Sequence, residues 1–162
     1  MKKTNLLLCL LFLPFLANAQ YYLNWASQGI SFDVPDVFIV NEDTKESLDA
    51  DAEFYTIEAS AKELSQEATN FEDNIQEAVK DLAKNRGLRD VLLGGEINLS
   101  QGRAFYARAT EKIGESLKET PVLVLLVIDS KKQKALEFFI YCHDGSETTG
   151  MKIVQQIHYT PK

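Results

Sequence analysis

The sequence predicts an α+β domain. It is built on an antiparallel sheet of about seven strands, with one long helix midway and a second helix at the C-terminal end. Three observations carry this expectation. Short apolar or alternating segments recur in pairs around turn residues, the mark of hairpins. Only two stretches show helical spacing. The order strand-strand, strand, helix, two hairpins, helix segregates strands from helices, whereas a parallel α/β fold would alternate them.

The elements follow in order. Gln20 to Gly29 is a lead-in without a clear pattern, holding Tyr21, Tyr22 and Trp25. Ile30-Ser31-Phe32-Asp33-Val34 alternates apolar and polar residues, the period of a half-buried strand. Pro35-Asp36 turns the chain, and Val37 to Val40 resumes as a second strand. Asn41 to Ala52 is polar and acidic and reads as a loop. Phe54 to Ala61 is aromatic and β-branched and reads as a third strand.

The long helix comes next. Asn70 suits an N-cap, and Glu72 and Asp73 suit the first turn, where the helix dipole favours acids. Phe71, Ile75, Ala78, Val79 and Leu82 recur on one face. Lys84 and Arg86 close the last turn, and Gly87 suits the C′ position.

Val91–Leu99 and Arg103–Lys112 form a hairpin around Ser100-Gln101-Gly102, with Gly94-Gly95 marking a bulge or bend. Val122–Ile128 is a continuous apolar run, expected of a central strand covered on both faces. Ala135–His143 pairs back across the Lys131-Lys132-Gln133-Lys134 turn. It turns Leu136, Phe138, Ile140 and Cys142 to one face, and Ala135, Glu137, Phe139, Tyr141 and His143 to the other. Glu147–His158 reads as the last helix, with Met151, Val154 and Ile157 on one side.

Residues 1–19 are expected to lie outside the fold. Lys2 and Lys3, the apolar run Leu6–Leu16 and Ala17-Asn18-Ala19 have the form of a secretory signal peptide. The run is shorter than the roughly 20 residues that span a bilayer, and no later segment is long enough to do so. Cys9 follows Leu8 within the apolar run, which does not suit a lipidation site. Residues 20–162 are then one domain, periplasmic or secreted.

Composition narrows the function classes. The chain has 162 residues, 45% hydrophobic and 25% charged, which excludes collagen, low-complexity disorder and a disulfide-dense miniprotein. Without residues 1–19, which carry two lysines and no acid, the net charge moves from −7 to −9 and Cys142 is the one remaining cysteine. An internal disulfide is then impossible. The acidity is local: residues 20–81 hold fifteen acids and three bases, residues 82–162 nine and twelve. Phosphate backbones repel such a chain, so no nucleic-acid partner is expected. The lysine cluster reads as a solvated turn.

No catalytic constellation emerges. Cys142 and His143 are adjacent on a strand and point to opposite faces, so Cys142 is expected to be a buried core residue. His143 and His158 lack metal-ligand spacing, and no metal or cofactor is expected. Asp49, Asp51 and Glu53 alternate and invite comparison with a Ca²⁺ loop. Phe54 stands where an EF-hand requires glycine, and the segment reads instead as an acidic solvated loop. No phosphate-binding glycine loop or nucleophile elbow is present. The one constellation of interest is Tyr106, Arg108, Glu137, Phe139 and Tyr141. If they share a face of adjacent strands, they form a ligand or partner groove. The alternative is that the terminal helix covers that face, with Arg108 and Glu137 paired at its rim.

Ile30-Ser31-Phe32-Asp33-Val34-Pro35-Asp36-Val37-Phe38 resembles the opening hairpin of PsbP/Mog1-like proteins, and the later element order resembles theirs over residues 28–160. The resemblance implies an α/β/α sandwich around an antiparallel sheet. It also implies a role in assisting assembly, in binding partner proteins or as a chaperone-like adaptor, and it carries over no catalytic residue. With the acidic first half and the missing catalytic motifs, it points to an adaptor, assembly factor or inhibitor. The expectation is a non-enzymatic exported protein that acts on another envelope protein. The competing expectations are a carrier of a small apolar or aromatic ligand and a small hydrolase using Cys142 or a carboxylate pair.

Overall fold

The computed structural model describes residues 21–64, 74–112, 119–129, 131–143, 145 and 147–160. The N-terminal segment with its Ala17-Asn18-Ala19 site lies outside them, as do Asn70, Phe71, Glu72 and Asp73 at the expected helix start. The elements are β1 Tyr21–Trp25, β2 Ile30–Val34, β3 Phe38–Asp43, β4 Ser47–Ala52 and β5 Tyr55–Glu63. Then come α1 Ile75–Asn85, β6 Arg89–Asn98, β7 Arg103–Lys112, β8 Glu119–Asp129 and β9 Lys134–Cys142. The chain closes with α2 Glu147–Gln155 and β10 His158–Tyr159.

Seven strands form the main sheet in the order β3-β4-β5-β9-β8-β7-β6, every pair antiparallel. A second sheet, β1-β2-β10, lies apart from it. This is the α+β architecture that the hairpin pattern predicts, with the additional small sheet. β8 is buried from Val122 to Asp129, as its unbroken apolar run requires. Val122, Val124, Leu126 and Ile128 belong to one core with Ile75, Val79 and Ala83 of α1. Leu123, Leu125 and Val127 belong to the other core, with β1, β2 and α2. The ring of Phe138 anchors that second core, meeting Trp25 and Phe32 edge-on with centroids 6.0 and 5.1 Å away.

α1 buries Ile75, Val79 and Ala83 at four-residue intervals, one stripe facing the sheet. It stops as its sequence dictates. Gly87 has φ +83°, a conformation that suits glycine, and its N–H bonds the carbonyl of Lys84 while that of Leu88 bonds Ala83. These two bonds are a Schellman motif, and they point Arg86 back over the sheet. The hairpin turn before β7 depends on Gly102, at φ +76°, where a Cβ would lie 2.1 Å from the carbonyl oxygen of Ile128. The register of β6 on β7 shifts at Gly94-Gly95, as the glycine pair suggests, and the ring of Tyr106 occupies the space a Gly94 side chain would need.

Five segments depart from expectation. Residues 30–38 are not a hairpin: β2 pairs with β1 and β10 in the small sheet, while β3 pairs with β4 in the main one. The lead-in contains β1, because Leu23 and Trp25 are buried while their neighbours face outward. Asn41–Ala52 is not a loop. β3 runs on to Asp43, and β4 starts at Ser47 after a turn that the Thr44 hydroxyl organises by accepting the N–H groups of Glu46 and Ser47. Leu48 and Ala50 alternate with the acids and face the core, so the segment is an amphipathic strand whose polar side is acidic. The last helix ends at Gln155, and His158 and Tyr159 become β10, paired to Ser31 and Ile30. The lysine turn is not merely solvated: Lys132 Nζ donates to the Gln28 carbonyl (2.8 Å) and Lys134 Nζ to the Gln28 side chain (3.3 Å). No helix among the described residues is long and apolar enough to cross a membrane.

Candidate functional site

The register of β7, β8 and β9 decides the fate of the expected groove. Tyr106 pairs with Leu125, which pairs with Phe138; Arg108 pairs with Leu123, which pairs with Ile140. Tyr106 and Arg108 therefore lie on the α2 face, while Glu137, Phe139 and Tyr141 lie on the opposite, α1 face. The five residues do not form one groove. Nor do Arg108 and Glu137 pair: Arg108 reaches Glu147 at the start of α2 (3.4 Å), and Glu137 is bound by Lys62 at 2.7 Å. Cys142 is fully buried, and a Cβ at Gly150 of α2 would lie 2.8 Å from its sulfur.

The α1 face holds a different constellation. α1 packs over β6, β7 and β8. Phe139 and Tyr141 on β9 are buried at its edge, under Arg86. The Arg86 guanidinium lies 5.0 Å from the centre of the Phe139 ring, its Nε donates to the Tyr141 hydroxyl at 3.3 Å, and it pairs with Glu58. Burial raises the Tyr141 phenol above its ordinary pKa, so the hydroxyl stays neutral and accepts that bond.

Beyond Arg86 the same face runs across β5, β4 and β3, with none of the described helices packed over it. In-line pairs place Glu58 beside Asp49, Thr56 beside Asp51, and Asp51 beside Ile39, with Glu42 next to Asp49 on β3. These acids share one side of the sheet because they alternate with Leu48, Ala50, Ile57 and Ala59, which face the core. A shallow cleft of about 220 Å³ runs between Glu42, Asp49, Glu58, Arg86 and Phe139.

The acids are held in place by hydrogen bonds. The Asn41 amide sits at a bulge in β3 and donates to Asp49 (2.8 Å) and Asp51 (2.7 Å). Thr56 donates its hydroxyl to Asp51 at 2.6 Å and receives His143 Nε2 at 2.8 Å, which assigns the proton to that nitrogen. The Thr56 bond, followed by the Asn41 bond, holds the Asp51 carboxyl below its ordinary pKa. Asp49 and Asp51, expected in a loop, are thus ordered carboxylates on a strand. No group of three or more metal-ligating side chains occurs among the described residues.

Apolar side chains border the acids. Ile39 is 69% exposed, Val37 58% and Phe54 43%. Sequence reasoning missed this surface because it read Asn41–Ala52 as a loop. The signal was present in Leu48-Asp49-Ala50-Asp51-Ala52, a strict alternation with apolar residues on one side.

No family model matches the chain, and no curated protein matches it. Solved structures do. The Saccharomyces cerevisiae Ran-binding protein Mog1p matches with a TM-score of 0.56 at 14% identity, covering 86% of this chain and 95% of that one. A single-residue mutant of protein Mog1 matches with a TM-score of 0.57 at 14% identity, over 88% of this chain and 97% of that one. A Bacteroides thetaiotaomicron protein matches with a TM-score of 0.50 at 13% identity over 88% of this chain, which spans about half the length of that protein. The chain has a Mog1/PsbP-like fold, as the Phe32-Asp33-Val34-Pro35 resemblance implies.

Proposed function

We propose that this protein is an exported, non-enzymatic adaptor that binds a basic surface on another envelope protein through the open face of β3, β4 and β5. One observation carries the reading. Glu42, Asp49, Asp51 and Glu58 stand on a single side of three strands that none of the described helices covers, with exposed Ile39 and Phe54 at the rim. Apolar anchors beside a one-sign charged field suit recognition of a protein of opposite charge, and the field speeds encounter. The yeast protein that shares the fold is named for binding Ran. That supports a binding role here and says nothing of the partner. Export rests on the Lys2-Lys3, Leu6–Leu16 and Ala17-Asn18-Ala19 pattern.

The test is carboxylate-to-amine crosslinking in native cell envelopes, with mass-spectrometric mapping of the linked residues. The expected result is links from Glu42, Asp49 or Asp51 to lysines of one recurrent partner. In the E42Q/D49N/D51N variant, which keeps the shape of each side chain, links from the neighbouring exposed Asp43 and Glu46 to that partner should be lost as well. Links that map elsewhere, or that survive in this variant, defeat the reading.

A further inference from the structure

The sheet has two edges, and they differ. β6 carries two register shifts, between Arg89 and Leu92 and between Leu93 and Glu96. Bulges of that kind twist an edge away from further pairing. β3 carries one shift, between Val40 and Glu42, and is regular from Phe38 to Val40. Among the described residues nothing pairs with its outer side. Its side chains are also sorted. Phe38 and Val40 lie toward the α2 face, in line with Ala52 and Ala50, while Ile39 lies toward the acidic face, in line with Asp51.

An exposed edge is a template for another strand. A second copy of this chain is a poor occupant. Residues 38–53 hold six acids and one base, so pairing two such edges would set like charges together. A strand that alternates basic and apolar residues fits instead. Its apolar side chains would continue the row of Phe38 and Val40. Its lysines or arginines would lie beside Ile39, about 10 Å or less from Asp49 and Asp51 on the next strand.

We propose that β3 accepts an extended segment of a basic partner as an eighth strand of the main sheet. This rests on the acidic-face reading above and adds the mode of binding: main-chain pairing supplies affinity, and the charge pattern supplies selectivity.

The test uses three synthetic peptides of equal composition: one alternating lysine and valine, one with its lysines and valines in separate blocks, and one alternating with N-methyl groups along one edge. Binding is followed by calorimetry at low and high salt, and amide hydrogen exchange is followed at residues 38–43. The alternating peptide should bind with salt dependence and slow exchange in β3 by tenfold or more. N-methylation on the pairing edge and the Val40→Lys variant should each weaken it at least tenfold. Binding of alternating and blocked peptides alike, with β3 exchange unchanged and N-methylation without effect, overturns strand addition and leaves the acidic-face reading standing. Absence of binding by every basic peptide, even at low salt, removes both.

Discussion

Gly150 is the point at which α2 seats on the main sheet, and Gly150→Ala tests how firmly it does so. A Cβ there would lie 2.8 Å from the Cys142 sulfur, and 2.9 and 3.0 Å from Leu123 Cδ2 and Cγ. Comfortable contact is about 3.5–4.0 Å, so three contacts are each too short by roughly 0.5–1 Å. Two effects favour the substitution: helix propensity, about 1 kcal/mol, and burial of one methyl group, about 0.8 kcal/mol. Overpacking opposes them at about 1–3 kcal/mol, and the upper end applies when neighbours cannot yield. Leu123 and Cys142 are fully buried on strands β8 and β9, each held between two others. α2 must therefore lift, loosening Ile153 and Val154 from the core. The expected net loss is about 1 kcal/mol, or a fall of roughly 3–4 °C in Tm. Urea unfolding at unchanged m-value would measure it. Adding Cys142→Ala should relieve part of the clash, so the double variant should be less destabilised than the two singles summed, by about 0.5 kcal/mol or more. An increase in stability for Gly150→Ala, or strict additivity in the double variant, would refute the tight seating of α2.

Two further outcomes are expected. The lowered pKa of Asp51 means that its contribution to stability is complete above the ordinary carboxylate range and is lost as the pH falls through the depressed folded value. Thr56→Val removes the leading cause, so the Asp51 titration midpoint, followed by carboxyl-carbon NMR, should rise toward about 3.9; an unmoved midpoint contradicts the role given to Thr56. Cys142, sealed beneath α2, should react with iodoacetamide in native buffer only at the rate of unfolding, as read by peptide mapping; rapid complete alkylation would mean that α2 opens by itself.

The residues most legible in the sequence were those whose period matched their surroundings. β8 needed no inference beyond its unbroken apolar run, and α1 announced itself by Ile75, Val79 and Gly87. The acidic face was hidden because carboxylates depress strand propensity even where Leu48 and Ala50 mark the pleat. β10 was hidden because two residues carry no period. The groove failed for another reason. Which residues share a face depends on how strands align across a sheet, and β8 stands between β7 and β9. Tyr106 lies in line with Phe138, and Arg108 with Ile140, so even-numbered residues of one strand share a side with even-numbered residues of the other. Choosing Glu137, Phe139 and Tyr141 to accompany Tyr106 and Arg108 crossed that parity. The apolar run hides where the strand begins: β8 starts at Glu119, paired to Lys112, three residues before Val122, and that odd offset reverses the parity.

The pairing of β10 with β2 has a consequence for how the molecule comes into being. Tyr159 closes against Ile30, so the central strand of the small sheet waits for a segment far along the chain before its second partner arrives. Ser31 waits likewise, its hydroxyl meeting Thr160 at 2.6 Å. A chain emerging from a ribosome presents β1 and β2 before β10, and they remain a lone hairpin, marginal in water, until His158 and Tyr159 appear. Completion of that layer is coupled to delivery of β10, and contacts of such long span are made slowly.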